Sequence, residues 1–166
     1  RIVGGTLQGG GTVFQTGAVT LDGGAAGINL DDMTFLVDTG ETLVLTGDVA
    51  HNATIVLDDA SSSAANAAVL RLDASSPTGS GLVQFASPFQ NRLTHANGAA
   101  VLTANQIVET QNPGDRGDIQ AALDNQGLIR TVGGTIRLSS GAKTNQSQIV
   151  ASVGGRLELA GLALDN

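Results

Sequence analysis

The chain has 166 residues, enough for one domain with a substantial core, and carries 8 basic against 15 acidic side chains for a formal net charge of −7. No basic cluster is present to displace counterions from a phosphate backbone, which argues against nucleic acid as a partner. Apolar residues make up 41%, only four of them aromatic and none of them Cys, so the core is aliphatic and disulfides, thiolate nucleophiles and Cys-type zinc sites are excluded.

The chain starts at Arg1, and no apolar run approaches the ~18 residues of a spanning helix. Neither a signal peptide nor a membrane anchor is therefore expected in this stretch, which reads as a mature product or a piece of something longer. Twenty-three glycines against 3 prolines point to many tight turns. The first of them, "GGTLQGGG" (4–11), are turn glycines without the following helix that a phosphate cradle needs. Short alternating pieces come next: Leu43-Val44-Leu45, Ile55-Val56-Leu57 and Leu70-Arg71-Leu72, each closed within a few residues by Gly, Asn, Asp or Ser. Alternation sends the flanking aliphatics inward and the middle residue outward. The stretches 61–74 and 117–125 permit little helix and read as coil insertions or strand edges. Spacing loosens between Ala60 and Gly114, where 75–81 and 110–118 are expected to protrude as loops.

The last 42 residues say nearly the same thing twice. Asn125 aligns with Asn145, Ile129 with Ile149, Gly133-Gly134 with Gly154-Gly155, and Ile136-Arg137-Leu138 with Leu157-Glu158-Leu159. Asn166 begins a third copy. A period of 20 to 21 residues fits one coil of a parallel β-solenoid, in which each turn of chain stacks on the one before. The fold class expected is all-β, a right-handed parallel β-helix of roughly seven coils of ~20–25 residues, forming a single domain over 1–166. Stacking places Arg137 and Glu158 one rung apart on the outside, ~4.8 Å by strand spacing. The recurring Asn is expected either to build an amide ladder along the axis or to make only local turns.

The segments "GGTLQGGGTVFQTGAVTLDG" (4–23), "GETLVLTGDVAHNATIVLDD" (40–59) and "NQGLIRTVGGTIRLSSG" (125–141) resemble the repeat regions of large secreted bacterial β-helix surface proteins, of the autotransporter-passenger and filamentous-haemagglutinin-like kinds. The resemblance implies an extracellular or cell-surface location and a part in adhesion or in building a surface structure. The termini add an expectation of their own. Residues 163–166 repeat 122–125, and Arg1-Ile2-Val3-Gly4-Gly5-Thr6 continues the series almost in register, so the two ends look suited to meet. Neither shows an amphipathic cap helix, and no Lys or Pro guards 157–164, so head-to-tail stacking of copies is expected.

No constellation carries catalysis, and no catalytic, cofactor-binding or metal residue is assigned. The acids Asp31, Asp32, Asp38, Asp48, Asp58 and Asp59 fall mostly in turn contexts, and with no Trp or Tyr to stack on sugars a glycan-active enzyme is disfavoured. His51 and His95 lack HxH or HExxH company and read as surface or turn residues. The acidic corners Asp31-Asp32 and Asp58-Asp59 leave Ca²⁺ as an open alternative to solvated acidity. Arg116-Gly117-Asp118 matches an integrin-type tripeptide on an expected loop, and Asn52-Ala53-Thr54 and Asn145-Gln146-Ser147 are sequons; all are short matches that chance supplies. Thr34, Thr39, Thr42, Thr46 and Thr54 recur without the fixed T-x-T period of an ice-ordering face. The leading expectation is a non-enzymatic extracellular solenoid that stacks with copies of itself into a filament, sheath or long adhesin. The alternative is a carbohydrate-binding or carbohydrate-cleaving β-helix with its site on the loops at 75–81 and 110–118.

Overall fold

The structure, a computed structural model, describes residues 1–58, 66–73, 76–96, 100–161 and 164–165. Among them every strand pairing is parallel, and successive turns of the chain add successive strands to each sheet. A first sheet of eight runs from Ile2–Val3 through Val19–Asp22, Thr42–Thr46, Val69–Asp73, Asn91–His95, Arg116–Ile119 and Gly134–Ser139 to Gly155–Ala160. A second sheet of eight ends at Gln148–Ala151, and a third of four comprises Ala100–Leu102, Leu123–Asn125, Lys143–Asn145 and Leu164–Asp165. This is the expected β-solenoid of about seven turns. Coil length varies more than the repeat alone indicates: Ile119 stands opposite Leu138, nineteen residues on, whereas Thr54 stands opposite Leu82, twenty-eight on.

The early coils turn a corner inside a single strand. Ile28–Asp38 pairs Gly5–Gln8 with its first half and Thr12–Phe14 with its second, and the register shifts between Asp31 and Thr34. Asp32 sits at that bend with φ 48, a left-handed conformation that Asp tolerates better than most residues. In later coils the corner lies between separate strands, and the third sheet supplies the extra side.

Strict alternation builds the core. Val49–Asp58 alternates buried and part-exposed residues along its whole length. Stacking then turns alternation into columns. On the second sheet Val13, Phe35, Ile55, Val83, Val108, Ile129 and Ile149 stand in line, one per coil. Val19, Leu43, Leu70, Leu93, Ile119, Leu138 and Leu159 do the same on the first sheet. Interior members of both columns are buried. Each contributes about 1.5–3 kcal/mol on leaving water.

The aligned repeat appears in the pairing residue for residue: Asn125 with Asn145, Ile129 with Ile149, Gly134 with Gly155, Arg137 with Glu158. Several expectations change. The tripeptide Arg116-Gly117-Asp118 lies in the strand Arg116–Ile119, not on a loop. Its glycine is there for packing, since a Cβ on Gly117 would lie 2.0 Å from Cδ2 of the fully buried Phe85. The preceding turn is an exposed loop over 111–114, as expected, anchored where buried Asp115 accepts the backbone N–H of Asn112 at 2.8 Å. By contrast, Thr78 bridges to Ala50, and Pro77 and Gly81 are buried; residue 75 of that segment lies outside the described residues. Of 61–74, only 66–73 is described, and it contains the strand Val69–Asp73. The stretch 117–125 is strand at both ends.

Candidate functional site

Three places combine exposure or polarity in a way the regular stack does not require: the outward column of the first sheet, the Asn corner, and the two end coils. Along the first sheet Arg92, Asp118, Arg137 and Glu158 stand one above the other, alternating in sign over four rungs. Opposite charges directly across strands favour this register. Arg137 and Glu158 are neighbours as expected, yet the Glu158 carboxylate turns to Arg156 at 3.2 Å. Asp118 accepts from Ser139 Oγ and from Gln120 Nε2, the latter at 2.9 Å. A shallow cleft beside this column is lined by Gln90, Arg116, Gly117, Asp118, Thr135 and Arg137. It contains two guanidiniums, one carboxylate and no aromatic ring.

At the corner before the second sheet, Asn125 Nδ2 donates to Asn145 Oδ1 at 2.7 Å and to Gln148 O at 3.1 Å, while Asn125 Oδ1 accepts the Gly127 N–H at 3.2 Å. The amide therefore makes both the ladder and the local turn. Asn166, the expected third rung, lies outside the described residues. Two residues before Asn145 in the same strand, Lys143 occupies the position held by Leu123 in the coil before. Its Nζ curls back to donate to the carbonyls of Ser139, Ser140 and Gly141. Burial pushes its pKa below the usual lysine value, opposed by the negative charge of Asp118.

A buried ion pair braces the middle coils: Glu109, fully buried, meets the Arg130 guanidinium at 2.5 Å. His51 is core, not surface, at 2% exposed, and sits on the second sheet, whereas His95 sits on the first. The two therefore do not share a face. Asp31 and Asp32 lie at the bend described above, and Asp59 lies outside the described residues. Among the described residues no group of three or more His, Asp or Glu side chains gathers as a metal site. Thr12, Thr34 and Thr54 do form one outward column, at intervals of 22 and 20 residues.

The end coils interrupt the burial pattern. In the first, Ile2, Val3, Val13 and Phe14 are exposed; in the last two, Val150, Val153, Leu159 and Leu164 are. Val13 and Leu159 are terminal members of the core columns, at 38% and 56% exposure, where Ile55 and Ile119 in mid-column are at 0%. The strands Ile2–Val3 and Gly155–Ala160 each have a single neighbour in the sheet. At the first end the Arg1 guanidinium hydrogen-bonds Asp22, holding that carboxyl below its ordinary range. The anticipated continuity of the two ends is out of phase by one face. Gly134 opens a strand of the first sheet, whereas Gly5, its counterpart by sequence, opens a strand of the second. The difference is present from the start, since Ile2–Val3 already lies on the first sheet against Leu21–Asp22 and the chain crosses to the second sheet at Gly5.

No protein-family model, no curated protein and no solved structure matches the chain.

Proposed function

We propose that this chain is a structural β-solenoid module that stacks end to end with further solenoid of the same cross-section, its own copies, to build a filament, sheath or long adhesin. The observation that carries this reading is the exposure of Val13 and Leu159, apolar side chains that end the core columns, each with a stacked neighbour on one side only, Phe35 and Leu138. Sheet edges of this kind pair with another strand unless charge, Pro or a cap blocks them. A contact between opposite ends of one unit is heterologous and propagates as an open assembly. The face offset between the ends leaves room on the second sheet above Gln148–Ala151, so the incoming coil sits as a helical step, not as a flat disc. The extracellular setting rests on the resemblance of 4–23, 40–59 and 125–141 to repeats of secreted bacterial β-helix surface proteins.

Light scattering coupled to size exclusion tests the proposal over a range of concentrations. The mass is expected to rise with concentration in steps of one chain, and Leu159→Glu to reduce it to the monomer. A monodisperse monomer at all concentrations overturns the reading.

A further inference from the structure

The interior of the middle coils holds a group that a solenoid core does not need. His51 continues the column of Leu7 and Leu30 on the second sheet, where each position faces the core. Neither ring nitrogen makes a hydrogen bond of normal geometry; the Leu82 backbone is the polar group nearest it, and it offsets only part of the effect of burial. The ring lies against the backbone of the next coil, where a Cβ at Gly81 would come 2.3 Å from its Cδ2. It also borders an internal cavity in which the centre of a water molecule ranges over about 20 Å³, walled by Leu45, Leu70, Leu72, Val83 and Leu93 among others. Among the described residues the only other polar side chain in the wall is Gln106. Its amide is occupied, accepting from Thr103 N at 3.3 Å and donating to Thr78 O at 3.4 Å.

Among the described residues no counter-charge faces the imidazole. On the preceding coil the strand Ile28–Asp38 carries Asp31, Asp32 and Asp38; its own strand carries Asp58; none borders the cavity. Across the interior Arg71 pairs with Asp73 at 2.7 Å, and Arg92 and His95 lie on the next strand of that sheet, again outside the wall. Glu109 is held by Arg130, and Asp124 accepts from Gln126 at 2.9 Å. Leu82–Phe85 carries no charge.

The coil boundary beside His51 is also thinly paired. Residues 49–52 pair with the following coil through the isolated bridge Ala50–Thr78, supplemented by Asn52 Oδ1 accepting the Ser80 N–H at 3.0 Å, and the next full pairing, Thr54 with Leu82, spans the longest interval among the described strands. Local opening is favoured where few pairings must break.

We propose that His51 is an acid-operated release: protonation places a charge among apolar walls with no counter-charge beside it and parts the stack between the third and fourth coils while the later coils keep their sheets. A charge in such surroundings is strongly disfavoured without a partner. Burial lowers the His51 pKa from 6.5 to about 4. Because the folded value is the lower one, the contribution is complete above pH 6.5 and is lost as pH falls toward 4. The constant for local opening then rises about 100-fold between pH 7 and pH 4.

Amide hydrogen exchange, corrected for the intrinsic pH dependence of exchange, tests this on the intact chain and on His51→Leu, which restores the aliphatic column. In the unsubstituted chain protection of 49–58 and 82–85 is expected to fall about 100-fold from pH 7 to pH 4, with 128–139 little changed, and the fall to vanish in His51→Leu. An equal fall in both proteins, or a uniform fall along the chain, overturns the proposal. Should His51→Leu not fold, the imidazole Cε1–H resonances of the unsubstituted chain decide. The chain has only two histidines, so the signals are separable by His95→Gln. A His51 signal that stays neutral below pH 5 supports the release; one that titrates near 6.5 in the folded chain overturns it.

Discussion

Asn125 and Asn145 stand opposite each other on successive coils, and the side-chain amide of the first donates to the carbonyl oxygen of the second at 2.7 Å. The repeat of this residue at a twenty-residue interval is thus a hydrogen bond along the solenoid axis. Asn125 is 1% exposed and closes its own turn as well, whereas Asn145 is partly solvated. Asn125→Ala is expected to cost about 1–3 kcal/mol, because it strands buried partners, and Asn145→Ala less. Urea unfolding midpoints of the two variants measure the order; a larger loss for Asn145→Ala would refute the ladder as drawn.

Gly117 and Phe85 form a matched pair across adjacent coils. Gly117→Ala drives its methyl group into the Phe85 ring and is expected to destabilise by about 1–3 kcal/mol. Phe85→Leu makes room, so the double variant should be more stable than the sum of the single losses implies. Thermal unfolding of the four proteins yields the coupling, and strict additivity would contradict the contact.

How much was legible in the sequence follows from coil length. Where coils run 19 to 21 residues, as at Ile119–Leu138 and Asn125–Asn145, identical side chains fall at nearly constant intervals and the pairing was readable in advance. Where an interval stretches to 28, as at Thr54–Leu82, stacked residues no longer recur evenly; the Thr12, Thr34, Thr54 column has intervals of 22 and 20 and ends there, too short a run to show as a period. His51 carried a usable signal, since it shares parity with Val49, Ala53 and Ile55 in one alternating strand. Pro113-Gly114 drew Arg116-Gly117-Asp118 toward a loop reading, because turn residues signal a reversal but not where the next strand begins. The face on which Gly5 falls follows from the pairing of Ile2–Val3 with Leu21–Asp22, a contact across a whole coil that no local motif encodes.

Arg130→Met leaves Glu109 buried without its partner, so a loss of up to about 3 kcal/mol is expected, the low end for a broken buried pair because Arg130 itself is partly solvated. Replacing both residues, Glu109→Leu with Arg130→Met, is expected to recover most of it. Chemical denaturation of the single and double variants separates the two. A single variant as stable as the unsubstituted chain would show that the pair contributes nothing.

Lys143 is the only lysine, and the chain has no Tyr or Cys, so little else titrates between pH 9 and 10.5. Its folded pKa is lowered by burial, which means the unfolded chain binds the proton more tightly and stability rises as pH climbs toward 10.5. The urea midpoint of the unsubstituted chain should therefore increase from pH 9 to pH 10.5 relative to that of Lys143→Met. Parallel pH profiles would show that the ammonium is as well solvated folded as unfolded.

The assembly itself is most directly read from images and diffraction of concentrated protein. Eight rungs at the strand spacing of about 4.8 Å make one unit about 38 Å long. Linear particles of constant width with a subunit repeat near that length and a strong axial reflection at about 4.8 Å are the expected result. Single particles that never join, or aggregates that join side by side without an axial repeat, would contradict end-to-end stacking.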